Sequence, residues 1–316
     1  MDLKKLDTEK RNEKTMGIDE MSTMDMVRVI NDEDHRCAEA VKMVLPQIAQ
    51  CVDVITDRLK RGGRLFYAGA GTSGRLGVLD AAECPPTYGV DPGLVVGLIA
   101  GGETALTRAM EGAEDDPGLG ARDLEKHGFG PDDALVGIAA SGRTPYVIGA
   151  MDYARQMGGA VMALVCVSDS ELSRHADITM APLPGPEVIT GSSRMKAGTC
   201  QKLTLNLLST CVMIRLGKVY GNLMVDVRAT NEKLRRRAIS IVCTSTGADE
   251  DRALAVLKEA DWSCKTAIVM IQRALDAKQA NEALARAEGR IAAVLKNHAE
   301  AAPPLRPAPA SGREQG

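Results

Sequence analysis

YAGAGTSGRLG, residues 67–77, contains Gly69-Ala70-Gly71-Thr72-Ser73-Gly74, a literal G-x-G-x-x-G at the end of the strand-like run RLFYAG (64–69). A glycine turn between a strand and a helix leaves bare backbone N–H groups at the positive end of the helix dipole, a setting that favours an anion. The pattern fits a dinucleotide, another phosphate, or a tight turn with no ligand. Glu103, after LVVGLIAGG, stands where a dinucleotide ribose would need a carboxylate, so spacing alone leaves the choice open.

Outward from this loop the chain alternates. RLFYAG, LVVGLIAG (94–101), ALVGIAA (134–140), AVMALVCV (160–167) and ITMAPL (178–183) are short, continuous apolar runs, separated by segments of helical periodicity or by Gly and Pro. Continuous apolar runs mark strands buried on both faces, and strand–helix alternation marks a parallel sheet with covered faces. The expected fold class is α/β: a doubly wound, mostly parallel five-stranded sheet. Ahead of it, Met24, Val27, Ile30, Ala38, Val41, Val44, Ile48, Val52 and Ile55 recur at threes and fours, which predicts helices from about Thr23 to Lys60. Beyond the sheet, Ser192 or Ser193 is the expected cap of a long helix to about Leu216, and another helix is expected over about 222–241. A small C-terminal module of three short helices follows, broken at Gly247-Ala248-Asp249 and Ala260-Asp261. The expected divisions are an N-terminal arm and helix (1–50), a ligand-binding domain (51–236), a helical module (237–298) and a disordered Pro/Ala-rich tail (299–316).

Composition excludes several classes. The 316 residues are 45% hydrophobic and 26% charged, with a net charge of −3, which offers no electrostatic case for nucleic acid or an anionic membrane. Aromatics, at 3%, are too scarce for base-stacking platforms. No apolar run approaches the ~18 residues of a membrane span. The charged opening MDLKKLDTEKRNEK lacks a signal-peptide core, and the eight cysteines form no C-x-x-C pair. A reducing, cytoplasmic setting is therefore expected. The four histidines show no metal-ligand spacing.

A second loop repeats the chemistry of the first. Ser141-Gly142-Arg143-Thr144 also lies between a strand and an expected helix, and both loops combine small residues, two hydroxyls and an Arg (Thr72, Ser73 and Arg75 in the first). A phosphomonoester has three equivalent acceptor oxygens and suits hydroxyls from two sides, whereas a bridging pyrophosphate is served by backbone alone. The pairing favours a sugar phosphate; each loop singly is equally well read as helix capping. A third loop, GPEVITGSSRMKAGT (185–199), carries Glu187, Ser192, Ser193, Arg194 and Lys196 at a helix start. Glu83, before Cys84-Pro85-Pro86, sits where the prolines are expected to stop a helix. Glu111 and Glu114, three apart, would share one helix face. Spacing alone gives these carboxylates no role beyond solvent-facing charges.

The strings GAGTSGRLGVLDAAECPPTYG, GLIAGGETAL, LVGIAASGRTPYV, GPEVITGSSRMKAGTCQK and GKVYGNLMVDVRATNEKL, with TEKRNEKTMGIDEMSTMDMVRVINDED, closely resemble N-acetylmuramic acid 6-phosphate etherases. This family belongs to the sugar isomerase (SIS) superfamily and is related to glucokinase regulatory proteins. The likeness extends to about residue 298. It implies the SIS fold and cleavage of the D-lactyl ether of N-acetylmuramic acid 6-phosphate, giving N-acetylglucosamine 6-phosphate and D-lactate without a cofactor. By the same likeness Glu83 is the general acid and Glu114 the second catalytic carboxylate, the base at C2. Thr72, Ser73, Ser141, Gly142 and Thr144 would hold the phosphate, while Glu187, Ser192, Arg194 and Lys196 would face the sugar. One straight helix after each loop would carry the carboxylates roughly 13 Å or more from the strand ends. Either the helices break early or a second subunit completes the site, and the likeness implies a homodimer. A sugar-phosphate-sensing regulator and a dinucleotide oxidoreductase are the competing functions.

Overall fold

The computed structural model describes residues 10–296, except Ala109, Arg228 and Thr230. The chain divides into two compact units, Met1–Leu216 and Gly217–Gly316.

In the first unit two short 3-10 turns, Glu13–Thr15 and Ile18–Glu20, precede helices α1 (Thr23–Lys42) and α2 (Leu45–Lys60). Ser22 caps α1 by accepting the Asp25 N–H. Then come β1 (Leu65–Gly69), α3 (Gly71–Tyr88), β2 (Val95–Ile99), the single-turn α4 (Thr104–Thr107), α5 (Pro117–Lys126), β3 (Ala134–Ile138), α6 (Pro145–Gln156), β4 (Ala160–Leu164), α7 (Glu171–Arg174), β5 (Ile178–Met180) and α8 (Lys196–Arg215). All five expected strands are present, and they pair in parallel in the order β2-β1-β3-β4-β5.

Successive strand residues alternate between two cores. Leu65, Tyr67, Val136 and Met162 pack with α1, α2 and α8, while Phe66, Ala68, Leu135 and Val161 pack with Leu124 of α5 and Tyr146, Val147 and Met151 of α6. Both faces are dry, which is why the strands read as unbroken apolar runs. Helix α3 leaves β1 toward the first core and α6 leaves β3 toward the second. The β1/β3 boundary is therefore the topological switch point, where the loops after the two strands diverge and open a crevice.

Three local expectations are corrected. Pro85 and Pro86 do not stop α3, which runs on to Tyr88 and ends at Gly89, left-handed at φ +65°. Proline's fixed φ is helical, and so near the end it removes only the N–H groups that would have bonded the Ala81 and Ala82 carbonyls. Neither Ser192 nor Ser193 caps α8, whose cap position is Met195 without a side-chain cap bond. The segment 103–116 is not one helix: α4 ends at Thr107, and Gly112, at φ +76°, leads into a 3-10 turn over Ala113–Asp115.

The second unit begins with an antiparallel pair, β6 (Val219–Tyr220) and β7 (Leu223–Met224), where a helix from 222 was expected. The helix starts later, as α9 (Glu232–Thr246), because Asn231 supplies its cap by accepting the Leu234 N–H. The expected boundary at 236 falls inside α9. Among the described residues four helices rather than three follow: α10 (Glu250–Glu259), α11 (Cys264–Arg273), α12 (Ala277–Arg286) and α13 (Ile291–Lys296). The breaks lie at the anticipated places, with left-handed Gly247 closing α9 and Asp249 capping α10. The tail 299–316 lies outside the described residues. Among them, no helix is long and apolar enough to cross a membrane.

Candidate active site

Both glycine-bearing loops lie at the switch point. Gly69 and Ile138, the last residues of β1 and β3, are register partners, so the two loops start side by side. In the first, Gly74 is required by packing: a Cβ there would stand 2.6 Å from the Gly69 carbonyl oxygen and 2.6 Å from Ile99 Cγ1. In the second, Gly142 is left-handed at φ +65°, and a Cβ would overlap that of Ser170. The first loop's backbone N–H groups at the start of α3, where no side chain caps the helix, are open to an anion.

The hydroxyls divide into two sets. Thr72, Ser141 and Thr144 are half-buried, and their hydroxyls have no hydrogen-bond partner among the described residues. Thr144 occupies the cap position of α6 without capping it, so helix capping does not account for it. Ser73 differs: it is buried, and its Oγ donates to Gln201 Oε1 of α8 at 3.0 Å. Its own backbone N–H belongs to the open first turn of α3.

The carboxylates also separate. A cleft of about 250 Å³ opens beside the first loop, and its charged lining residues are Arg75, Arg108, Glu111 and Glu114. Ala70 and Gly71 of the loop form part of the same wall. Glu114 reaches it because the chain folds back through Gly112; the expected shared helix face of Glu111 and Glu114 does not exist, yet both line one cleft. Glu83 is exposed on unbroken α3, twelve residues beyond Gly71, about 18 Å along the axis. No hydrogen bond or ion pair engages it among the described residues. One turn earlier on the same helix, buried Asp80 accepts from Tyr67 OH (3.0 Å), Asn206 Nδ2 (2.8 Å) and Ser209 Oγ (3.0 Å), tying α3 to β1 and α8. Burial pushes the Asp80 carboxyl up against these three donors.

Glu187 and Lys196 point into the protein. Glu187 is buried, and its two carboxylate oxygens accept the Lys196 and Ala197 backbone N–H groups, each at 2.9 Å. It caps α8 from outside the helix, the role expected of Ser192 or Ser193. Burial raises its carboxyl, and the two N–H groups oppose that shift. Lys196 Nζ donates to Glu33 Oε2 at 2.6 Å and to the Pro184 carbonyl at 3.1 Å. Around Glu33 gather Asn12 (2.9 Å), Lys14 (3.2 Å) and Arg36 (3.5 Å). Ser192 is half-buried and Arg194 exposed. They stand on the loop leading into α8, whose Gly198 lies against the Thr72 methyl.

Arg108 and Gln201 carried no signal in the sequence, since the fold-back and the α3–α8 contact place them. Arg75 did: it lies one helical turn beyond Gly71, where a side chain returns toward the loop.

The family described as glucokinase regulatory protein N-terminal SIS domain matches residues 47–155, and the SIS domain family matches residues 124–214. The chain is 53% identical over 296 residues to an N-acetylmuramic acid 6-phosphate etherase of Clostridium beijerinckii, covering 94% of this chain and 97% of that protein. It is 56% identical over 297 residues to one of Aliivibrio fischeri, covering 94% and 99%. Among solved structures, a phosphoheptose isomerase from Neisseria gonorrhoeae is similar over 60% of this chain and 98% of that one, with a TM-score of 0.47 and 20% identity.

Proposed function

The chain belongs to the N-acetylmuramic acid 6-phosphate etherases, and on that basis we propose how its cleft cleaves the D-lactyl ether of N-acetylmuramic acid 6-phosphate. The observation that carries the assignment is the placement of Glu114 in one cleft with the first glycine loop. The 6-phosphate sits on the open N–H groups of α3, flanked by the unbonded hydroxyls of Thr72, Ser141 and Thr144. With the ring open, the C1 aldehyde acidifies the C2 proton. Glu114 removes that proton, the C3–O bond breaks, and a carboxylic acid protonates the departing lactate oxygen. Water then adds at C3, and C2 regains a proton. The sum is substrate plus water giving N-acetylglucosamine 6-phosphate and D-lactate.

Glu83 is the acid of this scheme, supplied by a second copy. Its distance along α3 from its own loop is larger than a hexose phosphate, so it does not serve its own cleft. A surface for a partner lies nearby: an apolar groove of about 480 Å³ between α1, the start of α2 and α8 is lined by Val41, Leu45, Leu203 and Leu207, and its Asn206 bonds Asp80, one turn before Glu83. Exposed apolar area of this kind marks an interaction surface, and a symmetric homodimer presents the same face twice. All eight cysteines are free thiols, which supports a reducing, cytoplasmic setting.

The test is D-lactate release from N-acetylmuramic acid 6-phosphate with no nicotinamide present and with EDTA added. Release that disappears in Glu114→Ala and in Glu83→Ala supports the scheme. Tight sugar-phosphate binding without release would favour a regulator, the reading that the match over 47–155 keeps in view.

A further inference from the structure

Muramic acid differs from glucosamine by the lactyl group on O3, which adds a carboxylate next to the bond that breaks. A fixed cation in the site would pair with that carboxylate. The first glycine loop has two unlike flanks. Toward β3 stand the hydroxyls of Ser141 and Thr144. Toward β2 lies the cleft whose wall includes Ala100 and Ala105, with Arg75, Arg108, Glu111 and Glu114 as its charged groups.

Arg75 is half-buried, and its Nε–H donates to the Leu106 carbonyl at 2.9 Å, which fixes the guanidinium plane. Among the described residues neither Arg75 nor Arg108 forms an ion pair, although two carboxylates line the same cleft. The terminal NH1 and NH2 groups of Arg75 thus form an oriented fork without a carboxylate in it, and Arg108 is exposed at the same cleft.

We propose that Arg75 receives the lactyl carboxylate, and that this contact sets the preference for the muramic over the glucosamine sugar. The inference rests on the etherase reading and assigns the leaving group's place within it. A planar guanidinium matches a carboxylate in two parallel hydrogen bonds, and half-burial limits screening. Without that cation the substrate carboxylate would share the cleft with Glu111 and Glu114, offset only by the exposed Arg108. As the C3–O bond breaks, negative charge grows on the oxygen beside the lactyl carboxylate. A guanidinium already in place stabilises that fragment without reorganisation.

The alternative ligand for Arg75 is the 6-phosphate, and two sugars separate the cases. Lactate release from N-acetylmuramic acid 6-phosphate and binding of N-acetylglucosamine 6-phosphate are measured for the full chain, for Arg75→Gln and for Arg75→Lys, each checked for an unchanged melting temperature. The expected result for Arg75→Gln is a KM raised roughly 10- to 100-fold for the muramic sugar. Affinity for the glucosamine sugar, which lacks the carboxylate, stays within about twofold of the parent's. Arg75→Lys falls between, keeping charge but not the fork, and it carries the test alone should Arg75→Gln fail to fold. Equal weakening of both sugars, or of neither, overturns the Arg75 assignment and leaves the etherase reading intact. Absence of lactate release by the unaltered chain overturns the etherase reading itself.

Discussion

Lys196 and Glu33, separated by 163 residues of chain, form an ion pair at 2.6 Å in which neither side chain is exposed to water. Burial alone would raise the Glu33 carboxyl, but hydrogen bonds from Lys196, Lys14 and Asn12 outweigh it and hold the group at about 2. The folded value lies below the unfolded one of 4.5. The contribution of these contacts is therefore complete above about pH 4.5 and is lost as pH falls toward about 2, a change of roughly 3 kcal/mol. Urea unfolding of the parent should lose stability more steeply between about pH 5 and pH 3 than that of Glu33→Gln. At neutral pH, Lys196→Met should cost about 3–5 kcal/mol by leaving Glu33 charged and buried. Equal pH slopes would contradict the account.

Thr72 and Ser73 are adjacent in sequence but should fail differently. Ser73→Ala leaves Gln201 Oε1 without its donor, so stability should drop by about 1–3 kcal/mol. Thr72→Val keeps the methyl against Gly198 and removes only a hydroxyl with no internal partner. It should leave the melting temperature unchanged and raise KM by roughly tenfold. Denaturation curves and initial rates on both variants check the contrast.

If Glu83 acts in the neighbouring copy's cleft, two inactive variants should rescue each other. Glu83→Ala mixed with Glu114→Ala through partial unfolding and refolding should restore roughly a quarter of parental activity. Half of the dimers are then mixed, and each mixed dimer holds one intact site of two. No recovery on mixing, with dimers present by light scattering, would show that each copy uses its own Glu83.

Gly74→Ala tests the strand-to-helix joint. The new methyl would meet the Gly69 carbonyl and Ile99 Cγ1, both at 2.6 Å, so α3 must shift. A loss of about 1–3 kcal/mol is expected. Activity should fall further than stability explains, because the displaced turn carries the N–H groups proposed to bind the phosphate. Saturating substrate that restores the full parental rate would argue against that link.

The sheet was legible because its physics is local. A strand dry on both faces must be apolar at every position, and Phe66 and Tyr67, on opposite cores, leave no polar gap in the run. The chain near 222 misled for a related reason. Met224 is part of a strand pair and the helix waits for the Asn231 cap, while an amphipathic spacing spans both. Pro85 and Pro86 misled because a proline's effect depends on how much helix follows it. Within the site, the glycines and hydroxyls marked two loops that the structure starts side by side. The place of Glu114 depends on the reversal at Gly112, which no residue type before it required. Glu187 and Lys196 show the limit most clearly. Basic and acidic residues beside a helix start look alike whether they face a ligand or cap the helix from within, and only packing against Glu33 decides.

The N-terminal arm has a consequence for synthesis. Asn12 and Thr15 hydrogen-bond to the carbonyls of Pro186 and Val188, and Glu33 to Lys196. Glu33 leaves the ribosome 163 residues before its partner, an interval of roughly 8–30 s at ordinary elongation rates. Through that wait the arm lacks the Pro186 and Val188 carbonyls, and Glu33 lacks Lys196. Its composition suits the delay: Lys10, Arg11, Glu13 and Lys14 stay soluble in water while the sheet assembles downstream. This early segment is thus among the last to be fully seated, and its seating reports that the loop before α8 has been completed.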